Sequence, residues 1–394
     1  MANLQFSGLV FGIPKEIMSG ERRVSANPDT IEQFIAGGAK VLVEQGAGEG
    51  SFIRDEEYVK VGAEICREPM QVFGNADIIL KVKEPAFNEI QKMHEADMMH
   101  AGQALVTFLH PAAPANHNLV KTLAEKGILS LTLDSIPRIS RAQEMDALTS
   151  MSTVAGYKSV LFAANTLTKF VPMTGTAVGM IKPATALIIG AGVAGLQAAA
   201  TAKRLGAVVY ATDIRPDALE HAKSLGVKVI ETGIPHELTT GQGGYAKNLP
   251  EEWLLKERAI IRETVVNADI VIGSALVPGK VAPILITEEM VKQMKPGSVI
   301  IDISIDQGGN CDLTVGGEIV RRYDVTIDGT KNIPGMVPTT STWMFARNIY
   351  NFVSNLLKDG KLQINLEDEI ISSSIVTKDG EILHAGAREA MGLD

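Results

Sequence analysis

Cysteine is nearly missing from this chain. Cys66 and Cys311 are the only two in 394 residues, and they stand in no metal-binding or redox spacing. That excludes a disulfide-stapled scaffold and a cysteine-based zinc module, and it fits buried thiols in a reducing cytoplasm. Aromatics are few at 5%, no block of Lys and Arg appears, and the net charge is −9. A nucleic-acid partner is therefore not expected, and no metal site is. Long apolar runs are missing too. The most hydrophobic long stretch, Ser159 to Ile181, contains Asn165, Lys169 and several threonines, so it reads as a buried helix and loop and not as a membrane segment. The N-terminus reaches Lys15 and Glu16 with no leader-like apolar core before them. The length suits two domains, each able to bury its own core.

What is present is organised around Thr185–Ile189, an apolar run of strand length that stops at Gly190-Ala191-Gly192-Val193-Ala194-Gly195. An Ala-rich helix leads from there to Gly206, and a second apolar run, Ala207–Thr212, ends on Asp213. Each segment has a task in holding a dinucleotide. Gly190 permits the tight turn, Gly192 lets backbone approach a pyrophosphate, and Gly195 lets helix and strand pack closely. The helix N-terminus offers N–H groups and a positive dipole end to the phosphates. Asp213 is placed to accept hydrogen bonds from a ribose diol and to repel a 2′-phosphate, which favours NAD(H). Arg215 stands beside it, and an Arg in that position can also accommodate a 2′-phosphate.

Two βα series follow one another and resemble each other. The first opens with a strand at Val10–Ile13, a helix from about Asp29 ending at Gly37-Gly38, and a strand at Lys40–Glu44. The second opens at the glycine turn. Both later pass through Asn-Ala-Asp-Ile into a strand, at Asn75–Ile78 and at Asn267–Ile270. Alternation of this kind predicts parallel sheets covered on both faces. The expected fold class is α/β, two doubly wound Rossmann-like domains with a cleft between them. The expected division is 1–137 plus 329–394 for one domain and 138–328 for the NAD(H)-binding domain. Gly46–Gly50 follows a strand with no helix opening directly after it, so it reads as a turn. Val160–Phe170 reads as a helix linking the domains, and Ser341–Leu357 as a long helix. The tail Leu362–Ile370 and Ile375–Leu383 alternates like a hairpin turning at Lys378-Asp379-Gly380.

Two stretches lie outside this pattern: the charged segment Pro137–Asp146, and Thr239–Lys247, a Gly-rich loop with Tyr245 near its tip. Loops of that length in compact domains are usually lids or disordered spans, and here the glycines would supply a hinge and Tyr245 a flat apolar surface able to close over a cofactor.

Those stretches, with Gly12-Ile13-Pro14-Lys15-Glu16, the glycine turn, Met294–Ser298, Leu366–Glu369 and Val376–Gly380, carry a resemblance that covers essentially the whole chain. The chain resembles the alanine dehydrogenase/transhydrogenase N-terminal family. Within it, the chain is similar to the NAD(H)-binding alpha-1 subunit type of proton-translocating transhydrogenase. The resemblance implies an oxidoreductase that passes hydride between NADH and NADP⁺ held on a partner subunit. It implies a homodimer working with membrane-spanning alpha-2 and NADP(H)-binding beta subunits, cytoplasmic and peripheral to the inner membrane through those partners. Direct hydride transfer between nicotinamides needs no acid–base group, only distance, orientation and electrostatics. By the motif match, Arg138, Gln143, Asp146 and Thr149 surround the nicotinamide and its ribose, with Gln143 facing the second nucleotide and Asp146 fixing Arg138 or the carboxamide. The NAD(H)-binding set is then expected to be Gly190, Gly192, Val193, Ala194, Gly195, Asp213, Ile214, Arg215, Gly244, Tyr245, Ala275 and Leu276.

A second set points elsewhere. Arg23, Lys83, His110 and Asp306 are similar to the four catalytic positions of alanine dehydrogenase, and Asn332 in Lys331-Asn332-Ile333-Pro334 also looks dehydrogenase-like. Arg and Lys would clamp pyruvate, His would shuttle the proton, and Asp would support the iminium or activate water. The alternative activity implied is NAD-dependent reductive amination of pyruvate.

Overall fold

The computed structural model describes residues 5–241, 246–277 and 281–393. The chain divides into two compact units, Met1–Met151 with Gly335–Asp394, and Ser152–Pro334. Each is built on one large parallel-rich sheet, the doubly wound α/β architecture expected from the alternating pattern.

In the N-terminal unit the eight strands lie in the order Glu381–Ile382, Ile375–Lys378, Leu129–Thr132, Ala104–Thr107, Ile78–Leu80, Val10–Ile13, Lys40–Glu44 and Glu64–Cys66. The six strands from Leu129–Thr132 to Glu64–Cys66 are parallel, and the tail strand Ile375–Lys378 joins them antiparallel to Leu129–Thr132. Ile78–Leu80 and Ala104–Thr107 are wholly buried, as strands covered on both faces must be. Phe6, Phe11 and Phe34 pack as a group, with centroids 4.4 to 5.8 Å apart. Burying side chains of this size contributes about 1.5–3 kcal/mol each.

In the central unit the order is Lys228–Ile230, Val208–Thr212, Thr185–Ile189, Ile270–Gly273, Val299–Asp302, Val325–Asp328 and Ile319–Arg322, with only the last strand antiparallel. Omitting the extra edge strands, both sheets read third, second, first, fourth, fifth, sixth in chain order. The shared Asn-Ala-Asp-Ile does the same work in each. The Asp77 carboxylate accepts from Val10 N at 2.8 Å, and the Asp269 carboxylate from Thr185 N at 2.8 Å, each locking the fourth strand onto the start of the first.

Three local expectations are corrected. The linking helix runs Ala147–Thr166, not Val160–Phe170, because the Asp146 carboxylate accepts from Thr149 N and Oγ1 at 2.7 and 2.6 Å and caps an earlier start. Beyond it the apolar stretch is not a buried helix and loop. Thr174–Thr176 and Gly179–Ile181 pair as an antiparallel hairpin, on which Met173, Val178 and Met180 are 64%, 97% and 66% exposed. Thr and Gly at alternate positions favour that extended pair over a helix. In the tail, Leu362–Ile370 is not a strand. Lys361–Leu362 pairs with Leu357–Lys358, and Glu369–Ser374 is a short helix capped by Asp368, which accepts from Ile370 N at 2.8 Å. The hairpin is confined to Ile375–Lys378 and Glu381–Ile382, with Asp379 and Gly380 both left-handed in its turn.

Candidate functional site

The turn after Thr185–Ile189 has the form its glycines require. Gly190 sits at φ +91°. A Cβ on Gly195 would lie 1.8 Å from the Gly190 carbonyl oxygen, so only glycine lets the helix Val193–Arg204 start this close to the strand. A Cβ on Gly192 would meet only the Arg215 guanidinium, at 3.8 Å, which leaves its flank open. Val193, Ala194 and Gly195 form the helix's first turn, whose N–H groups have no partner within the helix. Open backbone, glycine at the crowded points and a helix N-terminus fit a diphosphate.

Ser274 and Ala275 close the other side. Ser274 Oγ donates to the Gly190 carbonyl at 2.8 Å, and Ala275 N donates to Asn310 Oδ1 at 2.9 Å. Asn310 is buried and returns its amide to the Ala275 and Pro283 carbonyls. Its own backbone N–H donates to Asp302 at 2.8 Å. Burial pushes the Asp302 carboxyl up, and the Thr314 hydroxyl with the Asn310 and Cys311 N–H groups pulls against that. Leu276 follows, 39% exposed. Gly244 and Tyr245 lie outside the described residues.

Asp213 ends its strand as expected, next to Ile214. Its carboxylate is fully engaged. Oδ2 accepts from Ala191 N and Arg215 Nη2, both at 2.8 Å, and Oδ1 from Arg215 N and Nε at 2.8 and 2.9 Å. Arg215 is thus held as the counter-ion of Asp213.

In the N-terminal unit, Arg138 and Gln143 are exposed, the first before and the second on the 3-10 turn Ser140–Met145. Tertiary contacts fix this turn. Ala142 is buried, Arg141 makes a two-pronged ion pair with Asp368 at 3.1 and 2.5 Å, and Asn348 donates to the Glu144 carbonyl at 2.8 Å. Asp146 and Thr149 are bonded to each other at the helix start, so the Asp146 carboxylate acts there as a cap.

Of the second set, Arg23, Lys83 and His110 belong to the N-terminal unit and come together; Asp306 and Asn332 belong to the central unit. Arg23 is buried and paired through Nε and Nη2 with Glu21, at 2.8 and 2.5 Å. Burial pushes the Glu21 carboxyl up, but Arg23 and then Lys83 outweigh it and hold it low. His110 Nδ1 lies 2.7 Å from Asp134, whose charge raises the imidazole pKa against burial and against nearby Lys83. Asp134 also accepts from the backbone N–H of Leu109 and His110, at 3.0 and 2.7 Å. His110 takes φ +44° and Asn332 φ +52°, left-handed conformations that side chains rarely adopt. Asp306 is exposed on a 3-10 turn, Ile303–Gln307.

Several residues here carry no sequence signal. Glu21 and Asp134 orient Arg23 and His110. Beneath Lys83, the fully buried Lys81 contacts Glu16 at 3.4 Å and Glu95 at 3.0 Å, while Glu16 accepts from Val82 N at 2.6 Å. Burial pushes Glu16 up to about 7 despite Lys81. In the central unit, Glu257 is buried beside Asp213, and burial first, then the Asp213 charge, pushes its carboxyl up to about 7. A lone acid on an amphipathic helix reads as solvated, which is why sequence patterning passes over it.

Two Rossmann-like sheets, one with a dinucleotide turn and one with a cationic and imidazole cluster, define a nicotinamide-nucleotide oxidoreductase type of chain. Domain models of the alanine dehydrogenase/PNT family match residues 12–155 (N-terminal domain) and 159–385 (C-terminal domain). The chain belongs to the alanine dehydrogenase/PNT family. It is 43% identical over 376 residues to the first part of an NAD(P) transhydrogenase subunit alpha of Rhodospirillum rubrum, covering 94% of this chain and 97% of that one. An alanine dehydrogenase of Methanococcus maripaludis is 33% identical over 393 residues, covering 98% and 97%. A solved transhydrogenase structure from Sinorhizobium meliloti superposes with a TM-score of 0.80 at 34% identity, over 95% of this chain and 99% of that one.

Proposed function

We propose that this chain is the NAD(H)-binding subunit of a proton-translocating transhydrogenase. The observation that carries this reading is the length-wide identity to the Rhodospirillum rubrum transhydrogenase subunit; the open glycine turn supports it. NADH binds with its pyrophosphate on Gly192–Gly195, and hydride passes to NADP⁺ on a partner subunit. Membrane-spanning alpha-2 and NADP(H)-binding beta subunits couple the transfer to proton movement, and the chain works as a homodimer, cytoplasmic and peripheral to the membrane. Among the described residues no helix is long and apolar enough to cross a membrane. Arg138, Gln143, Asp146 and Thr149 act around the nicotinamide. The helix cap and the Asp368–Arg141 pair hold that segment in one shape, which is what orientation-dependent hydride transfer requires. Gln143→Asn is expected to slow hydride transfer to NADP⁺ on an added NADP(H)-binding subunit while NADH affinity stays level. Transfer at the parent rate would remove Gln143 from the site.

A second reading, alanine dehydrogenase, is favoured by one observation: Arg23, Lys83 and a left-handed His110 gather in one unit. NADH oxidation by the purified chain with pyruvate and ammonium separates the two. No pyruvate-dependent oxidation is expected; rapid oxidation lost in His110→Ala would establish the dehydrogenase.

A further inference from the structure

We propose that Asn310 is a positioning residue: its buried amide, aimed by Asp302, fixes Ala275 and Leu276 as the wall against which the nicotinamide half of the dinucleotide lies. The inference rests on the reading of the Gly190 turn as an NAD(H) site.

Strand order places that wall. In the central sheet the first strand, Thr185–Ile189, pairs with the fourth, Ile270–Gly273; the second and third lie to one side of them and the fifth and sixth to the other. A dinucleotide lies across such a reversal, outside the carboxyl ends of the strands. The glycine turn and the second strand serve the adenosine side, so the residues that follow the fourth strand face the other nucleotide.

Ala275 stands directly against the turn, since a Cβ on Gly190 would lie 2.7 Å from Ala275 N. Its backbone polar groups are already spent. Its N–H donates to Asn310 Oδ1 at 2.9 Å, and its carbonyl accepts from Asn310 Nδ2 at 2.8 Å and from Ser304 Oγ at 3.1 Å. With the carbonyl's two lone pairs filled, this stretch presents aliphatic surface, Ala275 half-buried and Leu276 exposed, which suits one face of a flat ring. The second Asn310 amide hydrogen goes to the Pro283 carbonyl at 2.9 Å, and the Asn310 carbonyl accepts from Leu285 N and Ile286 N, both at 2.9 Å. One residue thus ties Ala275 and the stretch 283–286 to the loop after the fifth strand.

Asp302, buried at the end of that strand, aims the amide. Its Oδ2 accepts from Asn310 N, Cys311 N and Thr314 Oγ1 at 2.8, 3.1 and 2.9 Å. Its Oδ1 is buried without a hydrogen-bond partner. An acid left half-satisfied in the core costs stability, and the oxygen that is bonded is spent wholly on the loop carrying Asn310. Glycine clears the space for both. A Cβ on Gly273 would come within 3.1 Å of Asn310 Cβ, and one on Gly309 within 2.6 Å of Asp302 Oδ2.

The test compares NADH binding, ADP binding and hydride transfer to NADP⁺ on an added NADP(H)-binding subunit. Asn310→Ala is expected to weaken NADH about tenfold and to leave ADP, which needs only the adenosine side, at the parent affinity. Transfer at saturating NADH should slow by about a hundredfold. Asp302→Ala should show the same split, and Asp302→Asn, which keeps an oxygen for the three donors, should recover most of the loss. A merely structural residue would weaken both ligands together. Equal weakening of NADH and ADP, or parent values for NADH, would overturn the role of Asn310. Where the variants fail to fold, hydrogen exchange at the Ala275 amide of the parent decides. Saturating NADH should slow it at least about threefold more than ADP, and equal slowing, or none, would overturn the proposal. A parent that binds neither NADH nor ADP would instead overturn the NAD(H) reading.

Discussion

The two units share a sheet and differ in one connection. In both, six strands run in the same order, and an Asp before the fourth strand locks it to the first. In the central unit the first strand turns at once through Gly190 into a helix. In the N-terminal unit the first strand is followed by the loop 14–27, and its helix opens only at Pro28, capped by Asn27. That loop carries Glu16, Glu21 and Arg23, so this unit fills its own edge with paired charges, among them the buried Lys81 triad. The central unit instead leaves backbone N–H groups open beside Gly192. The sheet is a scaffold and the first connection decides its chemistry: glycine and a helix N-terminus make a phosphate cradle, whereas a long charged loop makes a rigid ionic floor.

Breaking the ionic floor should have the largest effect. Lys81→Met strands Glu16 and Glu95 in the core, and a loss of about 3–5 kcal/mol is expected in urea unfolding. NADH affinity of the folded fraction should be unchanged, because none of the three triad residues is among those proposed to contact NADH. Loss of NADH binding alongside stability would show that the units are not separable in this way.

Breaking the cradle comes next. Gly195→Ala places a Cβ 1.8 Å from the Gly190 oxygen, so backbone must move, at a cost of roughly 3 kcal/mol. Calorimetric titration should show NADH binding abolished. The first strand's own glycine in the N-terminal unit makes the contrast. A Cβ on Gly12 would meet side chains, Ile79 Cδ1 at 2.7 Å and Ala76 Cβ at 2.8 Å, and Gly12→Ala should destabilise by about 1–2 kcal/mol with NADH binding intact.

The His110–Asp134 pair sharpens the comparison through pH. Burial pushes Asp134 up, but His110 and the Thr132 hydroxyl outweigh it and hold the carboxyl at about 2, below its ordinary 3.8. A depressed carboxyl stabilises above its ordinary value and loses that contribution as pH falls toward 2. His110 is raised, so its share is complete below about 6.5 and fades as pH climbs through the raised value. Asp134→Asn should therefore cost about 2 kcal/mol near pH 5.5 and less at pH 9. An equal cost at both would mean that the Asp134 bonds to the Leu109 and His110 backbone, and not the imidazole, hold this corner.

The smallest effect concerns the twin acids. Asp269 is buried and also meets Lys169 at 3.2 Å and Lys295 at 3.6 Å, whereas Asp77 is exposed with Val10 N as its side-chain partner. Asp269→Asn should cost about 1–2 kcal/mol and Asp77→Asn less than about 1. The reverse order in thermal unfolding would break the claim that the central unit relies more on this lock.

The sequence by itself determined the opening strands of each series, the parallel class of both sheets and the glycine turn, because these rest on short-range patterns: apolar runs of strand length, Gly at points where a Cβ collides, and a repeated Asn-Ala-Asp-Ile. It named Arg23, Lys83 and His110 by motif, and these do share one unit. Helix limits were legible only where a cap was recognised, so Asp146 moved the linking helix and the 174–181 stretch became an exposed hairpin. Tertiary structure alone decided the partners. Glu21, Asp134, Asn310 and Glu257 are joined to what they orient or adjoin by the way the chain folds, not by spacing, and nothing in a linear pattern distinguishes a buried acid from a solvated one. Charge pairing depends on burial and on which elements meet, and both are settled only when the sheets close over their helices.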